Sequence, residues 1–568
     1  VKNEQLNAGF DEIDIAQNIP KIISGLHILF INHYWFKDFD SSNWLHFDQH
    51  QQEKLAALVV HYQEDLFNIK NNKFVQIDIS KDRRFNDDKW QQTYFKKLAA
   101  IYLILSDLMR EIIAILNIHP KKAQLRLNFL VDQFLAANAP SNYLFSNPEA
   151  LNKAYQTNGI SLLNGFNNFA ADVCELKLRH CLKSSFQIGK NLACTKGEVV
   201  FKNDLLELIQ YYPTTTHQYH RPVFIVPPMI NKYYILDLQP HNSLIKHLID
   251  QGFMVFVISW KNFSNQDANL AIDDFIQDGV ITALRTVRAI SEVKEVNCVG
   301  FCIGGTLLSC ALAILAARGD ESINSLTLLT TMLDFSDTGI LDIFIDNDFV
   351  NLCDAIFSGK SNLPAQLFRG EIMVNTFSLL RPNELWWNYH TLKYLQGEHP
   401  KPLDLLFWNN DSTNLPGNFF CWYLHHTYLN NNLKDGKLQA CKQIINFSNI
   451  KTDAYLFASK QDHIVPWCSS YQTIKLLGGK CQFVLGASGH IAGVINPPRA
   501  NKRKFWLNDE LNDDPSKWLE NADEYHGSWW YNWFKWLEKR SGNKIKSRAI
   551  GSPEYPVLEA APGSYVFS

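Results

Sequence analysis

At 568 residues the chain is too long for one core, and two or three domains are expected. A composition of 46% hydrophobic and 20% charged residues excludes a disordered chain, and a formal charge of −3 removes the electrostatic case for a nucleic-acid partner. The 11 cysteines follow no C-x-x-C or metal-ligand spacing. They read as reduced thiols of a cytoplasmic protein, in keeping with a start that lacks a signal-peptide pattern.

Residues 1–80 show weak periodicity and mix Asn, Gln, Asp and His with aromatics such as Trp35, Phe36, Trp44 and Phe47. They predict a loosely ordered or partner-dependent start. Residues 81–194 predict a mostly α-helical domain. Leu98, Tyr102, Leu105 and Met109 recur at helical spacing, as do Leu125, Phe129, Phe134 and Leu135, and Pro120, Pro140 and Pro148 punctuate the run. The most apolar window, Leu98 to Ile118, is broken by Ser106, Asp107, Arg110 and Glu111, so it predicts a buried helix and no membrane span.

After Gly197 short β-rich runs alternate with amphipathic segments. Strands are predicted at Pro222–Val226, Met254–Ser259, Val296–Val299, Ser325–Thr330, Ala454–Ala458 and Gln482–Leu485, with helices at Ser243–Gln251 and Ala271–Ile290. Apolar strands alternating with helices imply an α/β fold, with a mostly parallel sheet covered on both faces. The interval 335–445 breaks the alternation and is rich in aromatics, Asn and Asp. By analogy with α/β-hydrolases it is expected to be a cap inserted into a catalytic domain spanning 195–568.

Gly300-Phe301-Cys302-Ile303-Gly304 has the form G-x-S-x-G with sulfur for the hydroxyl, between a β-branched run and an apolar helix closed by Gly319. In such a nucleophile elbow the central residue stands at the carboxyl end of the sheet, and the helix behind it lowers a thiol pKa. Alone, the pentapeptide reads equally well as a buried cysteine beside a tight turn. A nucleophile needs a base, and the base an orienting acid, in the order nucleophile, acid, histidine. Asp462 follows one predicted strand and His490 the next, as that order requires; His463, which precedes the last strand, competes less well. The oxyanion donors expected are the N–H of Ile303 and that of Met229 or Ile230, because Pro227 and Pro228 have none.

These residues also resemble a family. Gly300 to Thr306, Asn231-Lys232-Tyr233-Tyr234-Ile235-Leu236-Asp237-Leu238, Phe407-Trp408-Asn409, Asp462-His463-Ile464-Val465-Pro466, His490 to Pro498 and His526-Gly527-Ser528-Trp529-Trp530 are similar to boxes of class I polyhydroxyalkanoate synthases. Asn147-Pro148-Glu149-Ala150 extends the match into the helical region, while residues 1–80 match poorly. The resemblance implies polymerisation of (R)-3-hydroxyacyl groups, delivered as coenzyme A thioesters, with Cys302 as nucleophile, His490 as base and Asp462 as acid. It also implies a homodimer associated with cytoplasmic polyester granules, with no cofactor beyond the coenzyme A of the substrate. Trp408 and Asn409 become candidates for substrate contact. So do the cations Lys232, Arg499, Lys502 and Arg503, since coenzyme A is anionic. The competing expectations are a polyester depolymerase or acyl-CoA thioesterase of the same fold, and, more remotely, a granule protein without catalysis.

Overall fold

The computed structural model describes residues 48–70, 77–116, 118–175, 178, 180–181, 185–360 and 363–568. Trp35, Phe36, Trp44 and Phe47 lie outside them. Within the predicted loose start, Gln49–Lys70 is a helix, fixed where Tyr62 and Ile69 pack with Phe85, Trp90 and Ile104. The chain forms two compact units, the described residues up to Phe166 with Pro382–Gly397, and Asn167–Arg381 with Glu398–Ser568.

The first unit is helical, with Thr93–Leu116, Lys121–Ala137 and Pro148–Gln156 as its longer elements beside Gln49–Lys70. The Asn147-Pro148-Glu149-Ala150 box is a helix start. The Asn147 side chain accepts from the N–H groups of Glu149 and Ala150, and Pro148 occupies the first turn, where a missing N–H costs nothing. Trp90 then donates to Glu149 at 3.0 Å. Ala99, Ala100, Ile104 and Ser106 form the buried face of Thr93–Leu116, while Leu105 and Phe134 are exposed. Among the described residues no helix is long and apolar enough to cross a membrane.

The second unit is built on an 11-stranded sheet. Its strands are β1 (Gly197–Lys202), β2 (Leu206–Tyr211), β3 (Val223–Val226), β4 (Val255–Trp260), β5 (Val296–Phe301) and β6 (Ile323–Leu329). They continue with β7 (Asp453–Ser459), β8 (Cys481–Gly486), β9 (Lys504–Leu507), β10 (Asp523–His526) and β11 (Glu559–Ala560). The spatial order is β10-β9-β8-β7-β6-β5-β3-β4-β2-β1-β11. The six from β4 to β8 are parallel, and the flanking strands are antiparallel. The parallel strands are those the sequence predicts. Both their faces are covered, so they read as unbroken apolar runs, and every residue of β3, β4 and β5 is buried.

The parallel strands end on one edge, and four loops leave it: Pro227 onward after β3, Cys302 after β5, Asp462 after β7 and the turn to His490 after β8. Between β6 and β7 lies the interval expected as a cap. It is largely helical, with Asn347–Phe357, Gly370–Leu379, Asp404–Asn409 and Gly417–Tyr423 in the second unit. Residues 382–397 group instead with the helical unit, where Thr391 donates to the Ser141 carbonyl at 3.2 Å.

Candidate active site

The elbow forms because three glycines let three pieces of backbone meet. A Cβ on Gly300 would stand 2.4 Å from the Gly305 Cα, one on Gly304 2.4 Å from the Pro227 oxygen, and one on Gly305 2.1 Å from the Thr331 hydroxyl. Strand, helix and the oxyanion-side loop are thus pressed together at distances only hydrogen permits. Cys302 is held between them at φ 54° and caps helix Ile303–Ala317. Its N–H donates to the Leu329 carbonyl at 3.0 Å, and its carbonyl accepts from Gly305 at 2.8 Å. The strained left-handed backbone turns the thiol out of the sheet, where it is partly exposed. Cys298 and Cys310, four residues before and eight after, are buried. Burial pushes the thiol of Cys310 up to about 12 and that of Cys298 higher.

Asp462 and His490 come from two stitched loops. Lys460 and Gln461 donate to the carbonyls of Gly486 and Ser488, which draws the loop after β7 against the loop after β8. Asp462 Oδ1 accepts from the N–H groups of Ile464 and Val465, both at 2.9 Å, leaving Oδ2 to meet His490 Nδ1 at 2.6 Å. Both side chains are almost completely buried. Burial alone would lower the His490 pKa. The charge of Asp462, the charge of Cys302 and a hydrogen bond to each outweigh burial and push it up to about 10. The three residues therefore converge, and His490, not His463, bonds to Asp462. The Phe301 ring stacks on His490, centroids 5.8 Å apart.

Behind His490, Gly493 allows the short helix His490–Val494 to lie on Ser459, whose Oγ would be 2.0 Å from any Cβ there. Trp529 and Trp530 donate to the carbonyls of Gly493 and Val494 at 3.0 and 2.9 Å, and Ser528 donates to that of Asn496. The His526-to-Trp530 box is thus the wedge that holds the His490 helix in place.

Ile303 opens the helix after Cys302, so its N–H has no carbonyl one turn back. On the facing loop the Met229 carbonyl accepts from the Thr413 hydroxyl at 2.5 Å and the Ile230 carbonyl from the Thr413 N–H at 3.2 Å. Because the peptide group is planar and trans, the bond to the Met229 carbonyl also fixes the direction of the Ile230 N–H.

The expected substrate contacts are dispersed. Arg499 and Lys502 are exposed on the loop leading to β9. Arg503 is partly buried beside them, and its Nη1 has no hydrogen-bond partner among the described residues. Lys232 and Trp408 are placed differently from the expectation. Lys232 is 3% exposed and donates to backbone oxygens of Ser568 and Tyr565 at 2.7 and 3.3 Å. Trp408 is buried and donates to the Lys232 carbonyl at 2.7 Å, with Asn409 partly buried next to it. In this structure both side chains bind protein.

Sequence reasoning missed an aromatic group in the cap. Phe335, Tyr423 and Tyr428 pack with ring centroids 5.2 to 6.1 Å apart. Burial raises both tyrosine pKa values; Tyr428 and the charge of Cys302 add to the effect on Tyr423, against a smaller opposing effect of Thr306, and the charges of Cys302 and Asp462 add to it on Tyr428. The tyrosines are five residues apart, a spacing that an α-helical reading does not place on one face. They meet because Leu424–Leu429 is a π-turn, with i→i+5 hydrogen bonds.

Comparisons with known proteins place relatives along most of the chain. Residues 81–248 match the family described as Poly-beta-hydroxybutyrate polymerase (PhaC) N-terminus, and residues 212–497 match the alpha/beta hydrolase fold. The chain is 46% identical over 488 residues to the Poly(3-hydroxyalkanoate) polymerase subunit PhaC of Cupriavidus necator, covering 85% of this chain and 83% of that one. It is 37% identical over 494 residues to the protein of the same description from Rhizobium etli, covering 86% and 77%. With Poly(3-hydroxyalkanoate) polymerase 1 of Ectopseudomonas oleovorans it shares 35% identity over 515 residues, covering 90% and 91%.

Proposed function

This chain belongs to the poly(3-hydroxyalkanoate) polymerase family and is an enzyme of that class, and we propose that it works through a thioester on Cys302. The observation that carries the mechanism is the strained, partly exposed Cys302 at the strand–helix turn, with His490 bonded to Asp462 and near enough to the sulfur that the charge of Cys302 helps hold its proton.

The substrate is an (R)-3-hydroxyacyl-CoA, 3-hydroxybutyryl-CoA in the simplest case. His490 takes the proton of the Cys302 thiol, and the thiolate attacks the acyl carbonyl. The oxyanion is held by the N–H groups of Ile303 and of Ile230 or Met229, and coenzyme A leaves as a thiol. One thioester replaces another, so the acyl group keeps its reactivity. The 3-hydroxyl of a second unit then attacks the acyl-enzyme carbonyl while His490 takes its proton, and Cys302 leaves as thiolate. The step is downhill because an oxygen ester replaces a thioester. Asp462 keeps the imidazole oriented and stabilises its cation, and in this reading it assists removal of the 3-hydroxyl proton. Phe335, Tyr423 and Tyr428 serve to exclude water, which would otherwise hydrolyse the acyl-enzyme.

Coenzyme A phosphates approach along the Arg499–Arg503 loop. Arg503 is the best placed cation, because its half-buried guanidinium retains an unpartnered nitrogen. The same reading puts a homodimer of the enzyme on the surface of its polyester in the cytoplasm, and exposed rings of the helical unit such as Phe145 and Tyr155 support contact with an apolar product. Incubating the purified protein with 3-hydroxybutyryl-CoA should give free thiol and insoluble polyester together. Free thiol with soluble 3-hydroxy acid would point to a hydrolase, and no thiol to a non-catalytic granule protein.

A further inference from the structure

The sequence offers Lys232 as a cation for coenzyme A, and its burial removes that role. Burying an ammonium is costly unless other groups compensate it. Here burial lowers the Lys232 pKa, and the Ser568 and Tyr565 oxygens with the nearby charge of Asp411 offset part of that cost.

The bonds around Lys232 close into a ring. Its ammonium meets the Ser568 oxygen, and the same oxygen accepts from Asn262 Nδ2 at 3.2 Å. Asn262 Oδ1 accepts from the Asn414 N–H at 2.9 Å. The preceding residue, Thr413, holds the carbonyls of Met229 and Ile230, and Asn231 bridges to Ser412. Trp408 holds the carbonyl of Lys232 itself, and the chain from Ile230 to Lys232 completes the circuit. Segment 564–565 is anchored in turn by Glu207, buried in β2, which accepts from the N–H groups of Ser564 and Tyr565.

We propose that Lys232 is a positioning residue for the oxyanion site, tying segment 565–568 to the 229–232 loop so that the Ile230 N–H stays aimed at the thioester oxygen bound at Cys302. The inference rests on the acyl-transfer reading above. It differs from substrate binding in its kinetic signature. An interaction that holds coenzyme A equally in ground and transition states appears in KM, whereas a donor aimed at the developing oxyanion appears in kcat. A displacement of about 1 Å at such a site costs on the order of 100-fold.

The test is steady-state coenzyme A release from 3-hydroxybutyryl-CoA by the full chain and by Lys232→Met, which preserves length and removes the charge. Thermal unfolding is followed in parallel. The expected result is a fall in kcat of about 10- to 100-fold with KM within roughly twofold, in a protein still folded at the assay temperature. A raised KM with kcat kept would assign Lys232 to coenzyme A and overturn the inference. A lowered unfolding midpoint with kcat and KM both kept would reduce Lys232 to a structural tether and overturn it equally. If Lys232→Met does not fold, Asn262→Ala opens the same ring at a more exposed position. A smaller loss of kcat at constant KM supports the inference there, and unchanged kcat rejects it. An unaltered protein that releases no coenzyme A would defeat the acyl-transfer reading itself, and this inference with it. Failure of Lys232→Met beside an active parent defeats only the positioning role.

Discussion

The loops around Cys302 and the helical unit are both rich in apolar residues, but they use them in opposite ways. At the elbow, Gly300, Gly304 and Gly305 have neighbours so close that a single added carbon cannot fit. In the helical unit Phe145 is 82% and Tyr155 86% exposed, and Gly159 has open space where a Cβ would go. The first region has almost no freedom to move its reacting groups. The second keeps its rings in contact with solvent. Crowding is what holds Cys302 and the facing backbone loop in register, and on the proposed reading an exposed face that meets a soft polymer surface does not need it.

The sharpest way to break this contrast is at the sulfur. Cys302→Ala should reduce coenzyme A release by more than about 10³-fold while circular dichroism and the unfolding midpoint stay close to the parent, because the side chain lies at a partly exposed turn. Cys302→Ser should also fold but make very little polymer. Its acyl group would be an oxygen ester and would lose the driving force for each transfer. Polymer yields like the parent's from the serine variant would end the thioester mechanism.

Next in size is Asp462→Asn. The amide can still accept from Ile464 and Val465, but it no longer stabilises a charged imidazole, and the loss should be about 10²- to 10⁴-fold in kcat. His463→Ala serves as the comparison. If it matches the loss in His490→Ala, the base has been misassigned.

A pair of glycine substitutions measures the crowding directly. Gly304→Ala forces a carbon against the Pro227 and Val226 carbonyls and should cost about 1–3 kcal/mol in urea unfolding, together with activity. Gly159→Ala meets nothing and carries only the cost of φ +84°, about 1–2 kcal/mol, with coenzyme A release unchanged. Equal losses of activity would erase the distinction between the regions.

The smallest effect is in pH. In Cys302→Ala the sulfur's contribution is gone, and Asp462 alone holds the His490 pKa up, so it should fall below about 10 but stay above the ordinary value near 6.5. The folded state then keeps a proton that the unfolded chain releases. This stabilisation is complete below about 6.5 and is lost as pH rises through the folded value, so the unfolding free energy should decline across that window. A flat profile would mean that Asp462 does not hold the proton on His490.

Much of this site was legible in the sequence because strand order, flanking glycines and loop position are local signals. Cys302, Asp462 and His490 each follow a strand whose apolar run announces it. The flanking strands β1, β2, β9, β10 and β11 were not predicted, since they are antiparallel, mixed in polarity and paired by long-range contact. Tyr423 and Tyr428 were hidden by a π-turn that changes which residues are neighbours. Lys232 was misread because a lysine in a sequence carries no sign of its burial. Its partners, at 565 and 568, are as far along the chain as the described residues reach.

That separation has a consequence in time. Lys232 and Tyr565 are 333 residues apart, and ribosomes add about 5–20 residues per second. The elbow with Cys302, and later Asp462 and His490, are thus made while the loop that would stabilise the oxyanion still lacks its clamp, for roughly 15 to 70 s. On the inference drawn for Lys232, a growing chain that has already made Cys302, Asp462 and His490 carries an oxyanion loop without its clamp until residues 565–568 have been added.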